Sequence, residues 1–413
     1  MSDFQQIELM APAGSFESMV TAIKAGADSV YFGIEQLNMR ARASMNFTLD
    51  DLNKISTLCN ENNVRSYITL NTIIYDHDLS IVKKIVDKAK EEGITAIIAS
   101  DQAVINYAKT VDMEIHISTQ VNITNIETVK FYANFADVMV MSRELSLKQM
   151  KDIVDAVKRE DVRGPSGKLV EIEVFAHGAL CMAVSGKCYL SLHTHNSSAN
   201  RGACIQNCRR TYTVIDKEEG YELDIDNEYI MSPKDLCTID FLDQLLNTGI
   251  SVLKIEGRGR APEYVKEVIA CYRDAIDAYK QGAYSEEKVA AWMERLARVY
   301  NKGFWSGYYL GQKLGEWSKG YGSQATTKKM YLGKGQHYFS NIKVGEFKIE
   351  SHTLKKGDKI LIIGPTTGVV EMNIDEMRVD DNIVSEAIKG DLCSFKIDET
   401  VRPSDKLYKV VEA

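Results

Sequence analysis

Nowhere in the 413 residues does an apolar run approach the roughly 18 that a membrane-spanning helix requires. The opening segment, MSDFQQIELM, also lacks the basic and apolar stretches of an export signal, so a cytoplasmic protein with no membrane partner is expected. Tandem repeats and low-complexity linkers are missing, which excludes solenoids and tethered arrays. Excess positive charge is missing too. Fifty Lys and Arg face 58 Asp and Glu, a net charge of −8, which argues against non-specific coating of nucleic acid and leaves room only for a local basic patch. Eight cysteines are too few over this length for a secreted disulfide scaffold. No H-E-x-x-H metallopeptidase motif and no C-x-x-C pair occurs.

What is present is an ordinary globular composition, 45% hydrophobic and 26% charged, on a chain long enough for one large domain and a smaller one. Eight short aliphatic runs alternate with helix-length segments: 7–11, 29–33, 65–71, 96–100, 114–120, 137–143, 171–177 and 252–257. The segment 49–62 opens with Thr48 and has Asp51 three residues on, in the manner of a capping box. Eight such units predict an α/β fold, a TIM-type (β/α)8 barrel over 1–262. The seventh and eighth runs lie 74 residues apart, so a Cys-rich insertion, 179–250, should leave the C-terminal end of strand seven and cover the barrel mouth. Residues 263–327 read as a helical extension, and 328–413, with short strands and Gly and Lys turns, as a small β-barrel.

Alternation along the strands turns Glu171, Glu173, Phe175 and His177 inward from strand seven, Lys254 and Glu256 from strand eight, and Glu114, His116, Ser118 and Gln120 from strand five. Buried charges are costly unless paired, so an interior this polar suggests a working site, with His177, Lys254, Glu256 and Glu173 as catalytic candidates. Structural pairing, for example Lys254 with Glu173 or Glu256, is the plainer alternative. For His116 the structural reading is preferred.

The densest chemistry is FAHGALCMAVSGKCYLS followed by NRGACIQNCRR. Six residues separate Cys181 from Cys188, fifteen Cys188 from Cys204, and three Cys204 from Cys208. Four soft sulfur donors suit either an iron–sulfur cluster or a structural zinc, and the missing C-x-x-C knuckle favours iron. Two of the four could equally be buried thiols. Cys237, at the start of a run with amphipathic helical spacing (Leu236, Ile239, Leu242, Leu245, Leu246), is a candidate substitute ligand, with a core thiol as the plainer reading.

Glu173, Phe175, Gly178, Ala179, Leu180, Cys181, Gly186, Cys188, Leu190 and Ser191 together resemble the signature of peptidase family U32, the collagenase-like family. The similarity continues through LMAPAG, STQ, SRE, NRGAC, SPKDL and KIEGR, and so covers nearly the whole chain. Within the family the chain is similar, in length and in its NRGAC/NCR segment, to RNA hydroxylation proteins. That resemblance implies a 4Fe-4S cluster and prephenate as co-substrate in hydroxylating a tRNA wobble uridine, with relatives acting on ribosomal RNA or the ubiquinone ring. It implies Cys181, Cys188, Cys204 and Cys208 as cluster ligands, with zinc as the lesser alternative. It also allows a paired family member or a second copy as partner. Where relatives often have KIEGRMKS, this chain has KIEGRGRA.

Proteolysis by Cys181 and His177 remains an alternative, but one nucleophile gives no reason for three further cysteines. A cluster-binding partner subunit without catalysis is a third reading. Prephenate carries two carboxylates, which planar guanidiniums suit, and Arg40, Arg42, Arg143 and Arg258, with Gln120, are its candidate contacts near the mouth. Lys187, Arg201, Arg209 and Arg210 form the candidate RNA-binding patch, with Arg260 across the mouth and His193, His195 and Tyr212 as stacking candidates.

Overall fold

The computed structural model describes residues 7–42, 45–220, 222–223, 231–312, 315–318, 320 and 322–413. Eight parallel strands close into the expected barrel: β1 (Glu8–Pro12), β2 (Ser29–Phe32), β3 (Arg65–Leu70), β4 (Ala96–Ala99), β5 (Glu114–Ile117), β6 (Val138–Val140), β7 (Glu171–Gly178) and β11 (Val252–Ile255), with β11 bonded to both β7 and β1. β2, β4, β6 and β11 are buried along their whole length, and β1, β3, β5 and β7 at every residue after the first, as a parallel barrel requires.

Helices α1 (Phe16–Lys24), α2 (Leu52–Glu61), α3 (Leu79–Glu91), α4 (Gln102–Thr110), α5 (Ile126–Tyr132) and α6 (Leu147–Arg159) follow the first six strands. Their ends are set by local side chains. The Thr48–Asp51 capping box is present, and Ser146 and Gln149 form a second at the start of α6, whose Met150, Ile153, Val154 and Val157 face the barrel. Removing such a cap costs about 1 kcal/mol.

Between β7 and β11 the chain forms α7 (Leu190–His195), two single 3₁₀ turns, a hairpin of β8 (Val214–Ile215) with β9 (Glu222–Leu223), β10 (Asp235–Cys237) and α8 (Leu242–Leu246). The helix expected from Leu236 onward is therefore a strand and then a shorter helix. Leu236 and Cys237 pair antiparallel with Gly178 and His177, while Asp235 and Leu236 pair with β12 (Phe304–Trp305), and this backbone pairing overrides the local helical pattern. The end of the excursion thus returns to the barrel wall.

After β11, α9 (Pro262–Lys280) packs Val265, Val268, Ile269 and Tyr272 into the barrel core as its eighth helix, so the barrel continues past 262, and α10 (Glu286–Arg298) lies against it. From Thr327 the chain forms an eight-stranded antiparallel sheet around its own core of Leu332, Phe347, Ile349, Ile360, Ile362 and Leu407. Its end strands, Gly368–Asn373 and Asn382–Val384, are not paired with each other. Among the described residues no helix is long and apolar enough to cross a membrane.

Candidate functional site

The polar interior divides into two layers. Toward the N-terminal ends of the strands, Arg65 bridges Glu8 (3.2 Å) and Glu114 (2.5 Å), Tyr67 donates to Glu8 (2.8 Å), and His116 Nε2 lies 3.0 Å from Glu114. These groups pair with one another, which favours a structural reading of His116, although its buried Nδ1 has no hydrogen-bond partner among the described residues. Toward the mouth, Lys254 Nζ pairs with Glu173 Oε1 at 2.7 Å, both buried, and stands 4.6 Å over the Tyr31 ring. The plainer reading holds for that pair, although Glu173 Oε2 is left without a partner.

One turn further out, Glu256 accepts from Arg40 Nη2 (2.8 Å) and from the Tyr31 hydroxyl (3.1 Å). Burial alone would push this carboxyl up, but the guanidiniums of Arg40, Arg258 and Arg143 outweigh it and hold its pKa down to about 2. Arg258 donates to Asn38 (3.1 Å) and Thr69 (2.8 Å), while its buried Nε has no partner. Arg143 lies 3.9 Å over Phe175 and donates to the Ala179 carbonyl, with Nε likewise orphaned. Gln120 accepts from Asn71 and Ser118.

Lys254, Glu256, Arg40, Arg143, Arg258, Gln120 and Phe175 share a cavity of about 460 Å³ with Cys181, Cys188, Cys204 and Cys208. The excursion after β7 therefore does cover the mouth. Gly202 makes this close approach possible: at φ +80° its missing Cβ would sit 2.3 Å from the Asn38 carbonyl oxygen. Arg201 completes the clasp through Asp78 (2.5 Å), the Ile73 carbonyl (2.8 Å) and the face of Tyr75. Burial raises the Cys208 thiol, Arg209 opposes this, and the charges of Cys181, Cys204 and Cys188 add to it. No three His, Cys, Asp or Glu side chains among the described residues are gathered so as to hold a metal ion. A zinc tetrahedron with 2.3 Å bonds would draw its sulfurs to roughly 4 Å apart, whereas a four-iron cubane carries its thiolates on a much larger body. The donor set, four thiols around one chamber, fits the larger body.

Several expectations need correction. His177 does not face the interior. The register between β7 and β11 passes from Phe175–Lys254 to His177–Ile255, so Ala176 is an extra residue, a β-bulge that reverses the alternation. The His177 ring packs instead against Tyr272 and Phe304 (both 5.6 Å between centroids), and burial, with the charge of Arg260, lowers its pKa to about 3. It lines neither mouth cavity. Arg42 is exposed and lines neither; its backbone N–H donates to the Gly202 carbonyl. Cys237 also lines neither cavity; its sulfur lies 3.8 Å from that of Met293, and burial pushes the thiol up to about 12.

The candidate RNA patch does not stay together. Arg201 is committed to Asp78, and Arg209 to the carbonyls of Leu180 (2.6 Å) and Pro233 (2.7 Å), so both fasten the excursion; Lys187 and Arg210 remain exposed. Sequence reasoning missed Tyr189, 71% exposed on the cavity rim beside Met182 and Val184, and Lys302 in a second cavity behind the cysteines. Neither stands in a run whose periodicity would have singled it out.

The family model for peptidase family U32 matches residues 14–319. The chain belongs to peptidase family U32. A protein of Porphyromonas gingivalis named "Collagenase" is 57% identical over 402 residues, 97% of each chain. The "tRNA hydroxylation protein P1" of Bacillus subtilis is 28% identical across 97% of this chain and 94% of its own. The "23S rRNA 5-hydroxycytidine C2501 synthase" of Escherichia coli is 33% identical over 66% of this chain and 40% of its own. The U32 scaffold thus carries names from both proteolysis and RNA hydroxylation.

Proposed function

We propose that this U32 protein is an RNA-modifying enzyme that hydroxylates a pyrimidine base, a tRNA wobble uridine first of all, with prephenate as co-substrate and a 4Fe-4S cluster held by Cys181, Cys188, Cys204 and Cys208. The observation that carries the reading is that four cysteines from one excursion line the same chamber as the ionised Glu256 and the orphaned guanidinium nitrogens of Arg143 and Arg258. When bound, the cluster would supply redox chemistry in that chamber. The chain's own residues bind and orient. Met39, Ile98, Val140 and Phe175 offer apolar walls to a base, Tyr189 offers a stacking face at the rim, and the excursion covers the mouth from above. Names of relatives that act on tRNA and 23S rRNA support the substrate class.

Proteolysis is favoured by the name of the 57% identical relative. It needs a nucleophile beside a base, and among the described residues no cysteine sulfur is hydrogen-bonded to a histidine; His177, the nearest in sequence, faces the helices. The test is nucleoside mass spectrometry of tRNA and ribosomal RNA from a deletion strain, with and without prephenate supply. Loss of a hydroxylated pyrimidine in both the deletion and the prephenate-starved strain is expected. Unchanged nucleosides would overturn the reading and promote a peptide substrate or a non-catalytic partner role.

A further inference from the structure

Segment 181–185, which opens with the first cysteine of the excursion, lines two cavities. One is the larger chamber and the other a pocket of about 190 Å³, so this stretch of backbone is a partition that both share. Most of the remaining lining of the pocket is aromatic or apolar: Trp305, Tyr308, Trp317, Leu180 and Pro233. The rings are held in place before any ligand arrives. Trp305 belongs to β12, which is fastened to the barrel wall through β10, and Tyr308 meets it edge to face at 5.2 Å between centroids. Trp317 bridges Pro233, and the N–H of Ser318 donates to the Ser232 carbonyl (2.8 Å). Tyr308 and Trp317 are nevertheless only half-buried, and Met182 and Val184 on the partition are each 47% exposed. Exposed apolar surface of this kind, gathered in one place on a rigid frame, marks a contact site.

Charge and size narrow the occupant. Arg143 and Glu144 also line the pocket and are opposite in sign, and Cys181 is a candidate cluster ligand, so there is no surplus of cations to draw in a phosphate or a carboxylate. The volume is below the roughly 300–1,000 Å³ of sites for drug-sized ligands, which suits one planar ring better than a whole nucleotide or an extended peptide. On the hydroxylase reading the modified base enters the larger chamber. In a single strand its neighbour is one sugar-phosphate unit away, and an unstacked base gains most from an aromatic face.

We propose that the aromatic pocket is a subsite for the base adjoining the modified one, which stacks on Tyr308 and Trp317 while the modified base enters the larger chamber across the partition. The RNA strand then straddles segment 181–185. This deepens the hydroxylase reading and rests on it for the class of the ligand.

The test is fluorescence anisotropy of the anaerobically purified, metal-loaded protein with short labelled single-stranded RNAs that contain one uridine, in which the base on its 5′ side, and then the base on its 3′ side, is replaced by an abasic ribose. Loss of one flanking base is expected to weaken binding at least fivefold, as the removal of a stacked base should. In Trp317→Ala and Tyr308→Ala the intact and abasic RNAs are expected to bind alike. Weakening of less than fivefold at both positions, or folded Trp317→Ala protein that still distinguishes intact from abasic RNA, would overturn the proposal. Failure of any of the RNAs to bind, beside a proline-rich peptide that binds and loses affinity in Trp317→Ala, would overturn it in favour of a peptide site. The wild-type comparison needs no variant, and with no prephenate added it needs no turnover. A failed nucleoside assay would therefore leave the dependence on the flanking base measurable, and a flanking base without effect would leave the modified nucleoside measurable.

Discussion

At the scale of single residues, buried charge is tolerated here only where a partner meets it. Lys254 and Glu173 are 6% and 0% exposed at the side chain and 2.7 Å apart. Replacing Lys254 by Met leaves the carboxylate alone and should cost about 3–5 kcal/mol by urea denaturation. The double variant Lys254→Met with Glu173→Gln should recover most of that loss. His177 leads to a pH prediction of definite sign. Its folded pKa of about 3 lies below the ordinary 6.5, so between those values the unfolded chain binds the proton and the folded one does not. Stability is then full above pH 6.5 and falls on acidification toward 3, by about 2 kcal/mol at pH 5 from this group. His177→Gln should flatten the dependence of the urea midpoint between pH 7.5 and 5. An unchanged slope would show that the imidazole is hydrated, and a buried neutral ring would be excluded. Alternation made Lys254 and Glu173 legible as inward residues, yet it misplaced His177, because nothing in EIEVFAHG marks the bulge at Ala176.

At the scale of elements, the strands and most helices could be read from apolar runs and caps because their local preferences agree with the barrel. Leu236–Leu246 could not, since its pairing with β7 and β12 is long-range. The fit of the excursion was also hidden: the approach of Gly202 to Asn38, Arg201 to Asp78 and Arg209 to Leu180 involves segments far apart in sequence. The Gly202 contact can be tested separately from any thiol. Gly202→Ala adds a Cβ 2.3 Å from the Asn38 carbonyl oxygen at a positive φ, a strain on the order of 1–3 kcal/mol that lifts the Cys204 segment. At least a halving of bound iron is expected, with the melting temperature of the barrel changed by only a few degrees. Wild-type iron content in folded Gly202→Ala would show that the approach is not required.

At the scale of the whole molecule, the C-terminal sheet docks on the barrel flank through Lys24 to Thr367 and Glu399, Lys266 to Glu371, and Lys329 to Glu263. It contributes no residue to either mouth cavity. Both mouth cavities are built by the barrel, its excursion and the segment carrying Lys302. The spacing of the cysteines announced this arrangement, while the second cavity was invisible because its lining residues come from distant parts of the chain. The most direct test is iron and acid-labile sulfide analysis of anaerobically purified wild type beside single Ser variants of Cys181, Cys188, Cys204, Cys208 and Cys237. About four irons and four sulfides per chain are expected in wild type, with large losses in the first four variants and none in Cys237→Ser. Stoichiometric zinc without sulfide, or iron that survives in any of the first four variants, would contradict the account.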